Sequence, residues 1–312
     1  MNNLVIIGGG RWARQIMLSI HKDLKLNKIL CVTKKKNFFL KNWLIEKKLN
    51  KIILISNVLP NCETKNSLAI ICNATSNHYR SSIKALRKGY NIFIEKPITL
   101  NLKQAKRIAS VSKKKNKKVF CSNVFSYSKS LKKIINIFKE EKIVSIKLKW
   151  HDKINERRYG EIKKIDTKIP IYLDVLFHIF FLLNLILKNK ILKLSEIKKK
   201  VFSNNKSIVQ FKINNILLNL DLNRVGNKRS RLININYKKN KYLIDFSKQN
   251  YFFTKKINRG KFKTKYIDSD KPLSLMLKRT ISILKNNKNI DNYMSINLTF
   301  KIFRIIEKIT NL

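Results

Sequence analysis

Short apolar runs alternate with polar, helix-patterned stretches over the first 122 residues of the chain. Asn3–Ile7, Lys28–Val32, Lys51–Ser56, Leu68–Asn73, Ile92–Ile94 and Lys117–Ser122 are short and nearly continuously apolar, which predicts strands buried on both faces. Helical spacing follows the first run to about Lys22 and recurs over Ser81–Lys88 and over about Leu102–Lys113. Strands alternating with helices predict an α/β unit with a doubly wound parallel sheet.

The pattern changes from Asn123 onward. Leu131–Phe138 is helical in spacing, and Val144–Trp150 alternates apolar with polar as a half-buried strand does. Glu196–Phe202, Ser207–Ile213, Ile216–Asn223, Arg231–Tyr237 and Lys241–Phe246 are strand-like, with Asn214-Asn215 and Lys238-Lys239-Asn240 as hairpin turns. Arg157–Glu161 reads as a loop, and Leu273–Leu284 and Ile296–Ile309 as closing helices. Two domains follow, 1–122 and 123–312, the second of α+β type.

Ile169–Leu187 is apolar almost throughout and nearly long enough to span a bilayer. It contains Pro170, Asp174, His178 and Asn184, and ionisable residues inside a span are costly. A buried helix carrying polar groups for chemistry explains the run better, and no membrane partner is expected.

Charge alters the picture less than its size suggests. The formal net charge is +51. The excess is mostly lysine and is spread through every segment, whereas phosphate recognition favours arginine. Glycine and proline are depleted too, at 7 and 4 residues, so compositional drift accounts for the charge and no specific nucleic acid is implied. Cys31, Cys62, Cys72 and Cys121 have neither disulfide-framework nor zinc spacing, so no metal is expected. Three of them fall in strands and read as small core residues. The first residues enter a strand directly, without a signal-peptide layout, which gives a cytoplasmic expectation.

Candidate chemistry begins at Gly8-Gly9-Gly10-Arg11-Trp12-Ala13, between the first strand and the first helix. In that context G-x-G-x-x-A is a dinucleotide-binding pattern. Gly8 makes the tight turn, Gly10 lets the backbone approach a pyrophosphate, and Ala13 lets the helix pack against the sheet. The second strand ends in Thr33-Lys34-Lys35-Lys36, with no acid for a ribose 2′-hydroxyl, so NADP is slightly preferred over NAD. Ala74–Tyr79 turns into a helix that Thr75, Ser76 or Asn77 caps, with His78 on the cofactor side of the sheet. Gly89 ends that helix, and the next strand runs into Glu95-Lys96-Pro97 at a carboxyl end, where open α/β sheets bind ligands.

With these residues in order and spacing, the chain resembles the Gfo/Idh/MocA family of NAD(P)-dependent oxidoreductases. The resemblance covers the N-terminal domain well and the remainder more loosely. It implies a Rossmann domain followed by a domain built on an open, largely antiparallel sheet, and association into a dimer or tetramer. Its cofactor-binding residues would be Gly8, Gly9, Gly10, Arg11, Trp12, Ala13, Thr33, Lys34, Thr75, Asn77, His78, Glu95 and Lys96. It also implies that Lys96, Asp174 and His178 are catalytic. Asp174 and His178 stand four apart in a helical stretch and share a face. Asn123, Tyr127, Arg157, Arg158 and Tyr159 are candidate substrate contacts, beside Lys96, Asp174 and His178. The chain departs from the family at Pro170-Ile171-Tyr172, where glycines are common, and at Phe181, where a second acid is common. The expected reaction is hydride transfer at a hydroxyl or carbonyl carbon of a sugar, cyclitol or nucleotide-sugar. An imine reductase and a non-catalytic, cofactor-sensing regulator are the alternatives.

Overall fold

The computed structural model describes residues 4–24, 28–33, 37–137, 143–158, 161–162, 169–188, 194–238, 240–248, 251–257, 260–266 and 271–310. By compactness the chain forms two units, Met1–Val124 with Leu273–Arg304, and Phe125–Pro272 with Ile305–Leu312.

The first unit runs β1 (Leu4–Ile7), α1 (Arg11–Leu24), β2 (Ile29–Val32), α2 (Phe38–Glu46), β3 (Ile53–Ser56), β4 (Leu68–Ile71), α3 (Thr75–Arg87), β5 (Asn91–Ile94), α4 (Leu102–Lys114) and β6 (Val119–Cys121). All neighbouring strands pair in parallel, in the order β3-β2-β1-β4-β5-β6. This is the Rossmann arrangement, and the order reverses between β1 and β4, where such sheets open a ligand crevice at their carboxyl ends. β1, β4 and β5 are buried at every position, which explains why they read as unbroken apolar runs. Cys31, Cys72 and Cys121 are buried among them, as small core residues are.

Two helices differ from the sequence reading. α3 begins at Thr75, ahead of Ser81, with Ala74 at its cap position and no side-chain cap. Thr75, Ser76 and Asn77 therefore lie inside the first turn, where none of them can cap. The sequence pattern does not reveal α2. Its apolar residues fall on all sides, and only Leu40 and Leu44 are buried. Its start signal is local: the Asn37 side chain accepts a 3.0 Å hydrogen bond from the Leu40 N–H.

The chain continues with α5 (Lys129–Asn136), β7 (Ile143–Lys153), β8 (Arg157–Arg158), β9 (Glu161–Ile162), α6 (Ile171–Ile186), β10 (Leu194–Phe202), β11 (Lys206–Ile213), β12 (Ile216–Gly226), β13 (Ser230–Tyr237), β14 (Lys241–Asp245), β15 (Tyr251–Ile257), β16 (Gly260–Tyr266), α7 (Pro272–Lys285) and α8 (Ile296–Thr310). Eight strands form one sheet in the order β10-β11-β12-β7-β13-β14-β15-β16. Only the β12–β7 pair is parallel, so the sheet is mixed and largely antiparallel. Asn214 and Asn215 turn the β11–β12 hairpin with φ of 50° and 65°, the left-handed pair a two-residue hairpin requires. The expected loop at Arg157–Glu161 contains the short β8–β9 ladder, in which Arg158 pairs with Glu161.

Alternation along β12 buries Leu218, Leu220 and Leu222 and leaves Asn219, Asp221 and Asn223 outward. α6 packs on β11 and β12, with the Phe180 and Phe211 rings 6.1 Å apart. Burial of this helix in protein accounts for its hydropathy. Among the described residues, no helix is long and apolar enough to cross a membrane.

Candidate active site

The glycine turn joins β1 to α1. Gly8 has φ +134°, and its N–H bonds the Val32 carbonyl at 3.0 Å. A Cβ on Gly8 would lie 2.8 Å from Asn73 N, and one on Gly9 2.5 Å from Asn37 Nδ2 and 2.9 Å from Thr33 Oγ1. A Cβ on Gly10 would meet nothing within 4 Å. Gly8 is thus required by the protein's own backbone packing, at Gly9 the crowding atoms belong to side chains that can shift, and Gly10 faces open space at the start of a helix. An open cradle beside the N–H groups that begin a helix fits a pyrophosphate, so these residues fit the dinucleotide that the motif implies. Ala13 is fully buried, which allows α1 its close approach. Thr33 follows β2 and bonds Ser56 O through its N–H at 2.9 Å, while Lys34 lies outside the described residues.

The turns after β4 and β5 are tied together by His78. This buried ring sits with Nδ1 2.8 Å from Pro97 O and Nε2 3.1 Å from Asn73 O. Burial pushes its pKa down, helped by the Lys96 charge and opposed by the two carbonyls. A neutral imidazole has one N–H, so it donates to one carbonyl at a time. The Lys96–Pro97 peptide bond is cis. Lys96 itself is half-buried between the buried Glu95 and Pro97.

Glu95 accepts from Ser122 Oγ at 3.0 Å and from the Lys96 N–H at 3.3 Å. The Trp12 indole nitrogen lacks a hydrogen bond of full geometry, yet it lies near enough to act on the same carboxyl. Burial pushes the Glu95 pKa up, and Trp12, Ser122 and Lys96 only partly oppose this. A carboxyl raised in the fold contributes stability that is present below its unfolded pKa and lost as pH rises through the folded one. Glu95→Gln is therefore expected to melt above the native protein at pH 8, with the gap closing toward pH 4. Thermal unfolding across that range checks it, and a gap independent of pH would refute it.

Asn123, a candidate substrate contact, is buried. Its Nδ2 donates to Tyr293 O at 3.2 Å, and its N–H meets Met276 Sδ at 3.3 Å. The side chain ties the end of the parallel sheet to the Leu273–Arg304 segment of the same unit.

In the second unit, the face of α6 carries the signal. Of its residues only Tyr172, Asp174 and His178 retain solvent access. Asp174 is in the first helical turn, where a negative charge suits the helix dipole, and His178 is one turn on. The His178 ring stacks on Trp150 at 5.3 Å between centroids and 15° between planes, and the edge-on Phe125 ring lies at 5.3 Å. Trp150 is 2% exposed. Arg231, its register partner on β13, lies 4.0 Å over its ring and donates to Asp152 Oδ1 at 2.6 and 3.2 Å. Burial pulls the Arg231 guanidinium down to about 10, against the attraction of Asp152, so it stays a cation at neutral pH. Arg229 bonds Glu156 at 2.8 Å, and Arg158 Nε lies 3.9 Å from the same carboxylate. Tyr127 carries Lys132 Nζ 5.8 Å over its ring, and Tyr159 lies outside the described residues.

The structure thus brings Asp174 and His178 onto one accessible face. It groups the glycine turn, His78, Glu95 and Lys96 at the carboxyl ends of the parallel sheet. Sequence reasoning missed Phe125, Trp150, Asp152 and Arg231 around His178. Trp150, at an inward position of a strand, was the available signal.

Residues 2–123 match the Gfo/Idh/MocA family model, described as an oxidoreductase family with an NAD-binding Rossmann fold. No curated protein sequence matches the chain. Among solved structures, the UDP-N-acetylglucosamine 3-dehydrogenase GnnA from Acidithiobacillus ferrooxidans has a TM-score of 0.75 at 13% identity, over 98% of this chain and 96% of that one. A dehydrogenase (MviM) from Clostridium difficile gives 0.73 at 16% identity, over 99% and 98%. KijD10, a 3-ketoreductase from Actinomadura kijaniata in complex with NADP and TDP-benzene, gives 0.78 at 10% identity, over 99% and 97%. At these identities the likeness is one of fold.

Proposed function

We propose, from the premise that its N-terminal domain belongs to the Gfo/Idh/MocA oxidoreductase family with an NAD-binding Rossmann fold, that this protein oxidises or reduces a hydroxyl or carbonyl carbon of a sugar, cyclitol or nucleotide-sugar. The observation that carries the reading is the α6 face, where a helix otherwise buried gives solvent access to Asp174 and His178 one turn apart. Bound NAD(P) supplies or accepts the hydride. His178 exchanges the matching proton with the substrate oxygen, because an imidazole titrates near neutral pH. Lys96 donates to that oxygen and favours its alkoxide character. Asp174 orients the imidazole or accepts from a substrate hydroxyl. Gly8, Gly9, Gly10, Arg11, Trp12 and Ala13 hold the dinucleotide at the start of α1, and Thr33, Thr75, Asn77, His78 and Glu95 line the rest of its site. Tyr127 and Arg158 contact substrate. NADP is preferred, because β2 ends without an acid.

Copies of the chain associate as a dimer or tetramer through the outward face of the eight-stranded sheet, as the family resemblance implies. The chain works in the cytoplasm, in keeping with its four free cysteines. Polyanions bind it only through weak, salt-sensitive attraction.

Titration with NADPH and NADH at physiological salt, followed by nicotinamide fluorescence, tests the proposal. Saturable binding is expected, tighter for NADPH, with turnover of at least one sugar or cyclitol. Binding without turnover on any sugar, cyclitol or imine would favour a cofactor-sensing regulator. No binding of either nucleotide would refute the enzyme reading.

A further inference from the structure

An imidazole on a helix turns about two side-chain bonds, and the second of these has a broad torsional minimum. A histidine that must present one nitrogen to a reacting oxygen therefore needs its ring plane fixed from outside. His178 is fixed by two rings, the parallel face of Trp150 and the edge of Phe125. These rings are themselves held. Trp150 and Phe125 meet edge to face at 6.3 Å, and Phe246 packs on both, at 5.6 and 6.1 Å. Trp150 lies on the central strand β7, between β12 and β13, so its backbone is paired on both sides.

A second feature makes this more than packing. The same indole carries the guanidinium of Arg231 at 4.0 Å, and Arg231 is paired with the buried Asp152. A cation is attracted to the face of an indole, and so is an imidazolium stacked on one. Trp150 thus serves one permanent cation and one that comes and goes with a proton. Among the described residues, the charged groups around the stack include Asp174 on α6, Asp152 on β7, and Arg231 and Arg229 on β13 and the turn before it, with Glu156 paired to Arg229 and Arg158 acting on Arg231. Tyr127 closes the short helix that carries Phe125. The indole favours the protonated ring, and Arg231 opposes it.

We propose that Trp150 is a positioning residue for proton transfer at His178: its buried indole fixes the plane of the imidazole and couples the proton on that ring to the Arg231–Asp152 ion pair. The chemical consequence for this reaction rests on the function proposed above. The geometric and electrostatic part does not.

The test uses the full chain with Trp150→Leu, which removes the ring, and Trp150→Phe, which keeps an aromatic face. His178 is one of four histidines, so its ring C–H signal can be assigned and titrated by NMR. Loss of the indole face is expected to lower the His178 midpoint by about half a pH unit in Trp150→Leu, and by less in Trp150→Phe. Turnover is expected to fall on the order of 10-fold to 100-fold in Trp150→Leu, with its pH profile shifted the same way and NADPH affinity kept. Should Trp150→Leu fail to fold, Trp150→Phe carries the comparison. Folded variants with an unmoved His178 titration and unmoved pH profile would overturn the proposal. A shifted titration in a protein that turns over no substrate would leave the geometric and electrostatic part standing and overturn the positioning role together with the oxidoreductase reading.

Discussion

Lys96→Ala is expected to lower turnover on the order of 10³-fold while leaving NADPH affinity within a few-fold. The side chain stands at the carboxyl end of β5, half-buried between Glu95 and the cis Pro97, on a turn held by His78 and Ser122. A turn anchored at so many points keeps its shape when one half-buried side chain is truncated, so the larger loss falls on chemistry rather than folding. A preorganised donor aimed at a developing oxyanion contributes about 10²–10³ in rate, and a general acid or base about 10²–10⁴. Steady-state kinetics beside a fluorescence titration separates the two effects. Near-native turnover would remove Lys96 from the mechanism, and a matching loss of NADPH affinity would make it a cofactor residue instead.

Gly8→Ala and Gly10→Ala are expected to part company. At Gly8 the backbone has φ +134°, and the new methyl would press on Asn73 N and on the Cys72 carbonyl group, all backbone atoms. Those atoms cannot yield, because Cys72 is bonded to Ile7 O at 3.0 Å across the sheet. Strain and overlap together are expected to cost about 3 kcal/mol or more. That corresponds to a fall in melting temperature of roughly 10 °C for a chain of this size, with no measurable cofactor binding. At Gly10 the methyl meets no protein atom within 4 Å, so the fold should melt as the native protein does. Its methyl occupies the cradle instead, and NADPH affinity should fall at least 10-fold if a pyrophosphate rests there. Calorimetry and nucleotide titration read the two variants. Equal melting temperatures for both would refute the packing argument at Gly8, and unchanged NADPH affinity in Gly10→Ala would show that the turn does not bind as proposed.

The parts of this fold that were legible in the sequence are those where one physical demand dominates. Strands buried on both faces are apolar almost throughout, so β1, β4 and β5 stood out, Asn91 at the start of β5 being buried with its amide hydrogen-bonded. A glycine that must hold a left-handed turn stays glycine in a chain otherwise poor in it, as at Gly8 and Gly89, with φ of +134° and +88°. The Asp174/His178 spacing was readable because a polar pair interrupts an apolar helix at one-turn intervals. α2 was hidden because Phe38 and Phe39 are exposed at 68% and 58%, so its apolar residues do not trace a buried stripe. In β15 the neighbouring Lys255 and Lys256 break the alternation, whereas β16 carries a readable one in Lys261-Phe262-Lys263-Thr264-Lys265-Tyr266 that sequence reasoning missed. The ring contacts around His178 join residues from four separate segments, and no local pattern announces them.

The division of the first unit between the two ends of the chain has a consequence for biosynthesis. Its parallel sheet is complete in sequence by Cys121, yet Met276 and Tyr293, to which Asn123 is tied, belong to the returning segment Leu273–Arg304. Roughly 150 residues of the other unit are translated between them, which takes about 7–30 s at ordinary elongation rates. During that interval the nascent sheet must persist on the ribosome without its last helices, and Asn123 waits for a partner that has not yet been synthesised. Completion of the first unit is therefore a late event in synthesis, reserved for chains in which Phe125–Pro272 has already been made.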